Sequence, residues 1–245
     1  MERITLVTGG SRGIGAATAH LCASEGHAVA INYQNDFEAA ERVRTSIVGI
    51  GGNAVVVQGD TGVESEIISM FETVDSVLGP VTGLVNNAGV HGPRGRLDAL
   101  GAQDISRVLD VNVAGYFVCA REAVKRMSTK YGGKGGAIVN VSSGSARLGG
   151  PGEGVLYAAS KGAVNSLTIG LSQEVVGEGI RVNTVAPGLT VTDMPPRDKL
   201  DKLGANIPIG RAAQPVEIAE AIVWLLSEKA SYTAGANIRV GGGRI

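Results

Sequence analysis

The sequence predicts an α/β fold: a doubly wound parallel sheet of about seven strands with helices on both faces. Three observations predict it. Short β-branched runs alternate with helix-spaced segments from one end of the chain to the other. The strand runs are apolar almost throughout rather than alternating, as expected where helices cover both faces of a parallel sheet. Glycine supplies 37 of 245 residues, with no collagen-like period and no low-complexity linker. These glycines cluster at the joints between segments, which marks turns with demanding backbone geometry.

Each element follows in order. "RITLVTGG" reads as a strand ended by glycines, and "IGAATAHLCASEG" as a helix that stops at Gly26. "HAVAINY" is a second strand, and "DFEAAERVRTSIVGIGG" a helix with glycines at its end. "NAVVVQGD" is a third strand, followed by the helix "ESEIISMFETVDSVLGP" with its Gly-Pro stop. "TGLVNNAG" is a fourth strand, and one long helix is expected from about Gln103 to Met127. "GAIVNVSS" is a fifth strand, and "LYAASKGAVNSL" opens a helix that runs to about Gly177. "IRVNTVAPG" is a sixth strand, "PVEIAEAIVWLLSE" a late helix with proline at its tolerated first position, and "ANIRV" a last short strand. No change in composition marks a second domain, so residues 1–245 are expected to form one. The least regular part, Leu189–Arg211, holds Pro195, Pro196 and Pro208 and reads as a mobile lid.

The totals exclude several function classes. Net charge is −1, which gives no long-range attraction to nucleic acid or an anionic membrane. No run approaches the ~20 apolar residues of a membrane helix, and "MERITLVTGG" is too short in apolar residues for a secretory signal. A cytoplasmic location is the resulting expectation. Cys22 and Cys119 sit in apolar helical patterns and form no CxxC, so both are read as small buried hydrophobes. No His, Cys or carboxylate cluster has the spacing of metal ligands.

The turn "TGGSRGIG" joins the first strand to the first helix. In a doubly wound sheet this is where backbone N–H groups and the positive helix end receive a dinucleotide pyrophosphate. The general GxGxxG spacing is absent, because Thr18 stands where its last glycine would fall. Gly9, Gly13 and Gly15 instead follow the order TGxxxGxG. "NNAG" (86–89) ends strand four, Asn112 lies in the long helix, "NVSS" ends strand five, and "YAASK" and "RVNTVAPG" follow. In this order the motifs resemble the short-chain dehydrogenase/reductase family over essentially the whole chain, with 3-oxoacyl-[acyl-carrier-protein] reductases among the similar members. The resemblance implies a Rossmann-type fold and reversible hydride transfer between a nicotinamide cofactor and a carbonyl or alcohol.

Tyr157 and Lys161 stand at i and i+4, neighbours on one helix face. Spacing alone favours a plain surface pair over a proton-transfer pair. A free tyrosine titrates near ~10, and a nearby ammonium lowers that value. In similar proteins this tyrosine is the general acid/base, and the lysine tunes it and bonds the cofactor ribose. Ser142 and Ser143 end strand five, at the sheet edge where ligands bind. The family alignment gives the substrate-positioning role to Ser143, with Ser142 as the fallback. Asn112 interrupts the apolar stripe Ile105, Val108, Gly115, Cys119 and must be hydrogen-bonded if buried. By resemblance it holds a water that links the lysine to solvent. Serine nucleophile chemistry would need a partner base. His20 falls in the first helix and His27 at the start of strand two, both away from the carboxyl strand ends. His91 follows "NNAG" and is read as a rim residue. A second class, a dinucleotide-binding regulator without turnover, is disfavoured by the intact Tyr, Lys, Ser and Asn set.

Strand two bears on cofactor choice. An acid at its end would repel a ribose 2′-phosphate. Asn32 and Tyr33 occupy that end, Asp36 is expected to cap the next helix, and Arg12 is placed to pair with a phosphate. NADP is therefore expected, with NAD possible. By resemblance Ser11 and Ile14 join the glycine turn, and Asp60 and Thr61 contact adenine. Asn87, Ala88 and Gly89 line the adenosine side. Pro187 and Gly188 flank the nicotinamide, and Thr190 and Thr192 complete that wall. A small-residue helix face at Ala159, Gly162 or Ala163, Ser166, Gly170 and Gln173 permits close packing. The resemblance implies a homotetramer, or failing that a dimer. The carbonyl substrate stays open among a 3-oxoacyl thioester, a sugar and a small ketone.

Overall fold

A computed structural model describes residues 3–195 and 200–244. Seven strands, β1 (Arg3–Val7), β2 (His27–Tyr33), β3 (Asn53–Gln58), β4 (Gly83–Asn86), β5 (Gly136–Val141), β6 (Ile180–Pro187) and β7 (Asn237–Val240), form one sheet in the order β3-β2-β1-β4-β5-β6-β7. Every pairing is parallel. The order reverses between β1 and β4, which opens a crevice at their carboxyl ends. The expected fold class is the observed one.

Alternation along each strand splits the core into two halves. Val7, Val29 and Ile31 point to one face, where they meet Ala19 and Cys22 of α1 (Gly13–Ser24), Val43 and Ile47 of α2 (Phe37–Gly49), and Ile218 and Ile222 of α9 (Pro215–Leu226). Leu6, Ala28 and Ala30 point to the other face. There they meet Ile67, Met70 and Phe71 of α3 (Glu64–Val77), Cys119 and Ala123 of α5 (Gly115–Met127), and Val175 of α7 (Val155–Val175). This is the period-two logic of a strand covered on both sides. Both cysteines are fully buried as expected, and burial pushes the Cys22 thiol up to about 12. Asp36 caps α2 by accepting from Ala39 N at 2.9 Å.

The structure departs from the sequence reading in three places. The long helix is interrupted: α4 (Ala102–Leu109) passes through a π-helical turn, Asp110–Ala114, before α5 begins. Such wide turns recur at functional sites, and this one holds Asn112. A short helix, α6 (Ser145–Leu148), follows β5 where the sequence was assigned no element. The segment read as a lid contains α8 (Leu200–Ala205), while residues 196–199, including Pro196, lie outside the described residues. Among the described residues no helix is long and apolar enough to cross a membrane, and no cluster of His, Cys, Asp and Glu is placed to hold a metal.

Candidate active site

A cleft of about 610 Å³ opens along the carboxyl ends of the strands. The glycine turn forms one end, where Gly9 and Gly13 adopt left-handed φ of +60° and +55°. Such φ values disfavour any side chain, so the motif glycines are conformational requirements here. Gly15 has ordinary φ but no space: a Cβ there would lie 2.2 Å from the Gly9 carbonyl oxygen. Asn32 braces the turn from below, accepting from Gly9 N at 3.0 Å and donating to Gly59 O at 2.9 Å. Asn87 braces it from the side, donating to Thr8 O at 2.9 Å and Gly9 O at 3.1 Å. Every expected site residue lines this cleft except Gly15 and Asn112, which stand behind its wall.

The far end of the cleft carries the chemistry-bearing side chains. Tyr157 and Lys161 reach it from α7, and Ser143 from the end of β5. The Ser143 side chain stands by the Tyr157 phenol and favours its ionised form. Ser142 is buried and donates to the Lys161 carbonyl at 3.0 Å, so it ties β5 to α7 and Ser143 is the serine that faces the tyrosine. Burial pushes the Tyr157 phenol above its usual value, and Ser143 pulls the other way without reversing it. Lys161 is itself fully buried, and desolvation pushes its ammonium down to about 7. Its Nζ donates to the Tyr116 hydroxyl at 2.9 Å and to Val141 O at 2.8 Å, and lies 6.0 Å from the Tyr157 ring centre.

Asn112 is wholly buried and its side chain is fully engaged. Its Oδ1 accepts from Val90 N at 2.9 Å, and its Nδ2 donates to Val90 O at 2.8 Å and Ser160 Oγ at 3.0 Å. The side chain fastens the loop after β4 to α7. Asn86, the first residue of "NNAG", plays a similar part deeper in the sheet. It donates to Asn140 Oδ1 at 3.0 Å, Asn140 donates to Thr168 at 2.9 Å, and Thr184 donates to Thr168 at 2.7 Å. Buried amides and hydroxyls in such a chain are tolerated because each finds a partner.

Two expectations change, and two residues are added. His91 is not a rim residue. It stacks on the Tyr157 ring with centres 5.0 Å apart and planes 19° from parallel. Gly154 leaves room for it, since a Cβ there would sit 3.1 Å from His91 Nε2. Its Nδ1 is 3.2 Å from Gly92 O, and burial lowers the imidazole pKa. Thr190 is buried in its own loop, donating to Gly188 O at 3.1 Å, so it shapes the wall more than it offers a free hydroxyl. Arg107 of α4 was not singled out in the sequence. It pairs with Asp60 at 2.9 Å, and Asp60 also caps Gly62 N at 2.8 Å. Burial alone would raise the Asp60 carboxyl, but these bonds hold it below the usual range. Arg42 of α2 is the second addition. It shares with Arg12, His20 and Asp36 a smaller recess beside the glycine turn.

The arrangement has counterparts. A family profile described as "Enoyl-(Acyl carrier protein) reductase" matches residues 9–244. The uncharacterized oxidoreductase YgfF of Escherichia coli is 53% identical, with 98% of this chain and 99% of that protein covered. The 3-oxoacyl-[acyl-carrier-protein] reductase FabG of Staphylococcus aureus is 37% identical, with 99% and 98% covered. The chain belongs to the short-chain dehydrogenase/reductase family. The structure of another short-chain dehydrogenase, from Burkholderia cenocepacia in complex with NADP, superposes with a TM-score of 0.92 at 34% identity, covering 99% of this chain and 97% of that one. As a short-chain dehydrogenase/reductase, this protein is an oxidoreductase. At the glycine end of its cleft, Gly9 and Gly13 carry no Cβ and the turn leads into the start of α1. On the opposite wall Thr192 comes so close that a Cβ on Gly13 would lie 3.1 Å from its methyl.

Proposed function

We propose that this protein reduces the carbonyl group of a small molecule with NADPH, and runs the reverse oxidation at higher pH. The convergence of Ser143 and Lys161 on Tyr157, at the closed end of a glycine-lined cleft, carries this reading. When bound, the cofactor supplies the hydride, and the protein supplies orientation and the proton. Ser143 holds the carbonyl oxygen against Tyr157. Tyr157, kept neutral by burial, donates its proton to that oxygen as the carbon accepts the hydride, and the product is the alcohol. The sign of the pH effect follows from the raised phenol pKa. The acid form needed for reduction dominates at neutral pH, and the base form needed for oxidation gains as pH rises. Lys161 faces the resulting phenolate, and Leu189–Pro195, which lines the cleft, closes over the substrate. Arg94 supports that closure, reaching both Glu153 and the Met194 carbonyl at 3.4 Å.

NADP rather than NAD is supported by charge. The one carboxylate just past β2, Asp36, is occupied as a helix cap, while the guanidinium groups of Arg12 and Arg42 flank the same recess. A charge-assisted bond to a phosphate contributes about 1.5–3 kcal/mol, or roughly a ten- to hundred-fold preference. Side-by-side assays with NADPH and NADH over 3-oxoacyl thioesters, sugars and small ketones test the whole reading. NADPH is expected to be favoured at least ten-fold, and Arg12→Ala to lose most of that margin while leaving the NADH rate unchanged. Equal use of both cofactors would overturn the assignment, and no oxidation of either across the panel would overturn the activity.

Assembly is part of the same proposal. A Cβ on Gly162 or Gly170 of α7 would meet nothing within 4 Å, so the small-residue face of this helix is unpacked within the chain. Ile169 beside it and Phe117 of α5 are 54% and 51% exposed. Apolar area of this kind is typically covered by a partner, and a homo-oligomer, a tetramer or a dimer, covers it with a second copy of the same two helices. Light scattering coupled to gel filtration is expected to give a multiple of the single-chain mass. A monomer would refute the assembly.

A further inference from the structure

Lys161 is a buried cation with no ion pair among the described residues. A buried ammonium is costly unless its N–H groups are bonded. One of its two bonds goes to a side chain outside the recognised motif set, the hydroxyl of Tyr116, one helical turn after Asn112. Tyr116 is 2% exposed, between α5 and β5. Its hydroxyl donates to Val141 O at 3.0 Å, which leaves the oxygen lone pairs for Lys161 Nζ at 2.9 Å. Lys161 also donates to the same Val141 carbonyl at 2.8 Å. The three groups form a closed triangle that uses two of the three ammonium hydrogens and the Tyr116 hydroxyl hydrogen. Burial holds the Tyr116 hydroxyl well above its ordinary pKa, so it remains a neutral donor and acceptor across the working pH range.

We propose that Tyr116 is a positioning residue: its hydroxyl, braced on the Val141 carbonyl, holds the Lys161 ammonium at the base of the cleft and keeps it charged for the proton step at Tyr157. The last clause rests on the oxidoreductase reading above. The holding itself does not. The groups around Lys161 leave Tyr116 as the deciding side chain. Its own helix brings Tyr157, α5 brings Tyr116 and the inert Cys119, the π-helical turn brings the neutral Asn112, and the loop after β4 brings His91 beyond the Tyr157 ring. None is a carboxylate. A hydrogen bond accepted from the charged form of a lysine favours that form, and here it opposes the desolvation that lowers the ammonium to about 7.

Tyr116→Phe tests the proposal, because the ring still fills its place and Val141 O still accepts from Lys161. Side-chain carbon shifts of [13C]lysine-labelled protein, free of cofactor, report the Lys161 titration directly, with the signal assigned by its loss in Lys161→Met. The Lys161 midpoint is expected to fall by about one to two pH units in Tyr116→Phe, the size of one charge-assisted bond. The sign carries into kinetics: if the charged lysine is needed, kcat/KM for carbonyl reduction falls as pH rises through its pKa. That limb is therefore expected to move to lower pH by the same amount. Tyr116→Leu, which also removes the ring, should share the titration shift and add a loss of melting temperature. An unchanged Lys161 titration in Tyr116→Phe would overturn the proposal, and damage confined to Tyr116→Leu would assign Tyr116 to packing alone. Because the titration is read without cofactor or substrate, a wild-type protein that reduces no carbonyl would defeat the oxidoreductase reading and leave the holding of Lys161 intact.

Discussion

Tyr157→Phe is expected to lower the rate of NADPH-dependent carbonyl reduction by about 10²–10⁴-fold, the contribution of a positioned general acid, while NADPH affinity stays within about two-fold. The phenol oxygen is the single group removed. The ring that stacks on His91 at 5.0 Å remains, so the walls of the cleft keep their shape. What goes is the proton donor beside the Ser143 side chain. Stopped-flow measurement of nicotinamide absorbance gives the rate, and quenching of its fluorescence gives the affinity. A rate within a few-fold of wild type would remove Tyr157 from the proton step and pass that step to a group now ranked behind it, with His91 the nearest candidate. The pH dependence separates the two. A tyrosine held above its ordinary value stays an acid through neutrality, so reduction falls there only with the Lys161 limb, whereas a histidine whose imidazole is lowered by burial would be spent as an acid at lower pH.

The elements most legible in the sequence were those in which one local rule decides. β2 was readable to the residue, because "HAVAINY" is mostly apolar and all seven positions are buried. α2 and α9 were readable from a capping Asp and a first-turn Pro. The features that escaped depend on contacts between distant segments. The π-helical turn around Asn112 has no propensity signal. It coincides with Gly115 pressed so near the 61–62 peptide that a Cβ would fall 2.1 Å from Thr61 O. Tyr116 was not singled out in the sequence, and only the fold puts its hydroxyl beside Lys161. His91 was read from its loop, and its place against Tyr157 is set by Gly154, 63 residues away in sequence. The Tyr157–Lys161 pair was visible as spacing. Its surroundings were not, since spacing favoured a surface pair, whereas the fold buries Lys161 and gives its ammonium to Tyr116 and Val141.

Gly15→Ala carries the second large effect, and it separates the two reasons for glycine in the phosphate turn. Gly9 and Gly13 are required by φ, but Gly15 has a φ that alanine adopts freely, and alanine at a helix start ordinarily stabilises by about 0.4–1 kcal/mol. Its constraint is space alone. The added methyl would lie 2.2 Å from Gly9 O and 2.6 Å from Asn87 Nδ2, and neither neighbour is free to retreat. Gly9 is held by Asn32 Oδ1, Gly10 donates to Asn32 O at 2.8 Å, and Asn87 bonds both Thr8 O and Gly9 O. Overpacking of this kind costs about 1–3 kcal/mol or more. Any relief has to move the peptide that would face a pyrophosphate. Denaturant unfolding is therefore expected to show a loss of that order, and fluorescence titration a fall in NADPH affinity of at least ten-fold. Gly49→Ala is the matched control: Gly49 closes α2, a Cβ there meets nothing within 4 Å, and the change should be neutral or mildly stabilising. If Gly15→Ala instead matched the control in both measurements, the turn would have slack that this packing denies, and the third glycine of TGxxxGxG would need another physical reason.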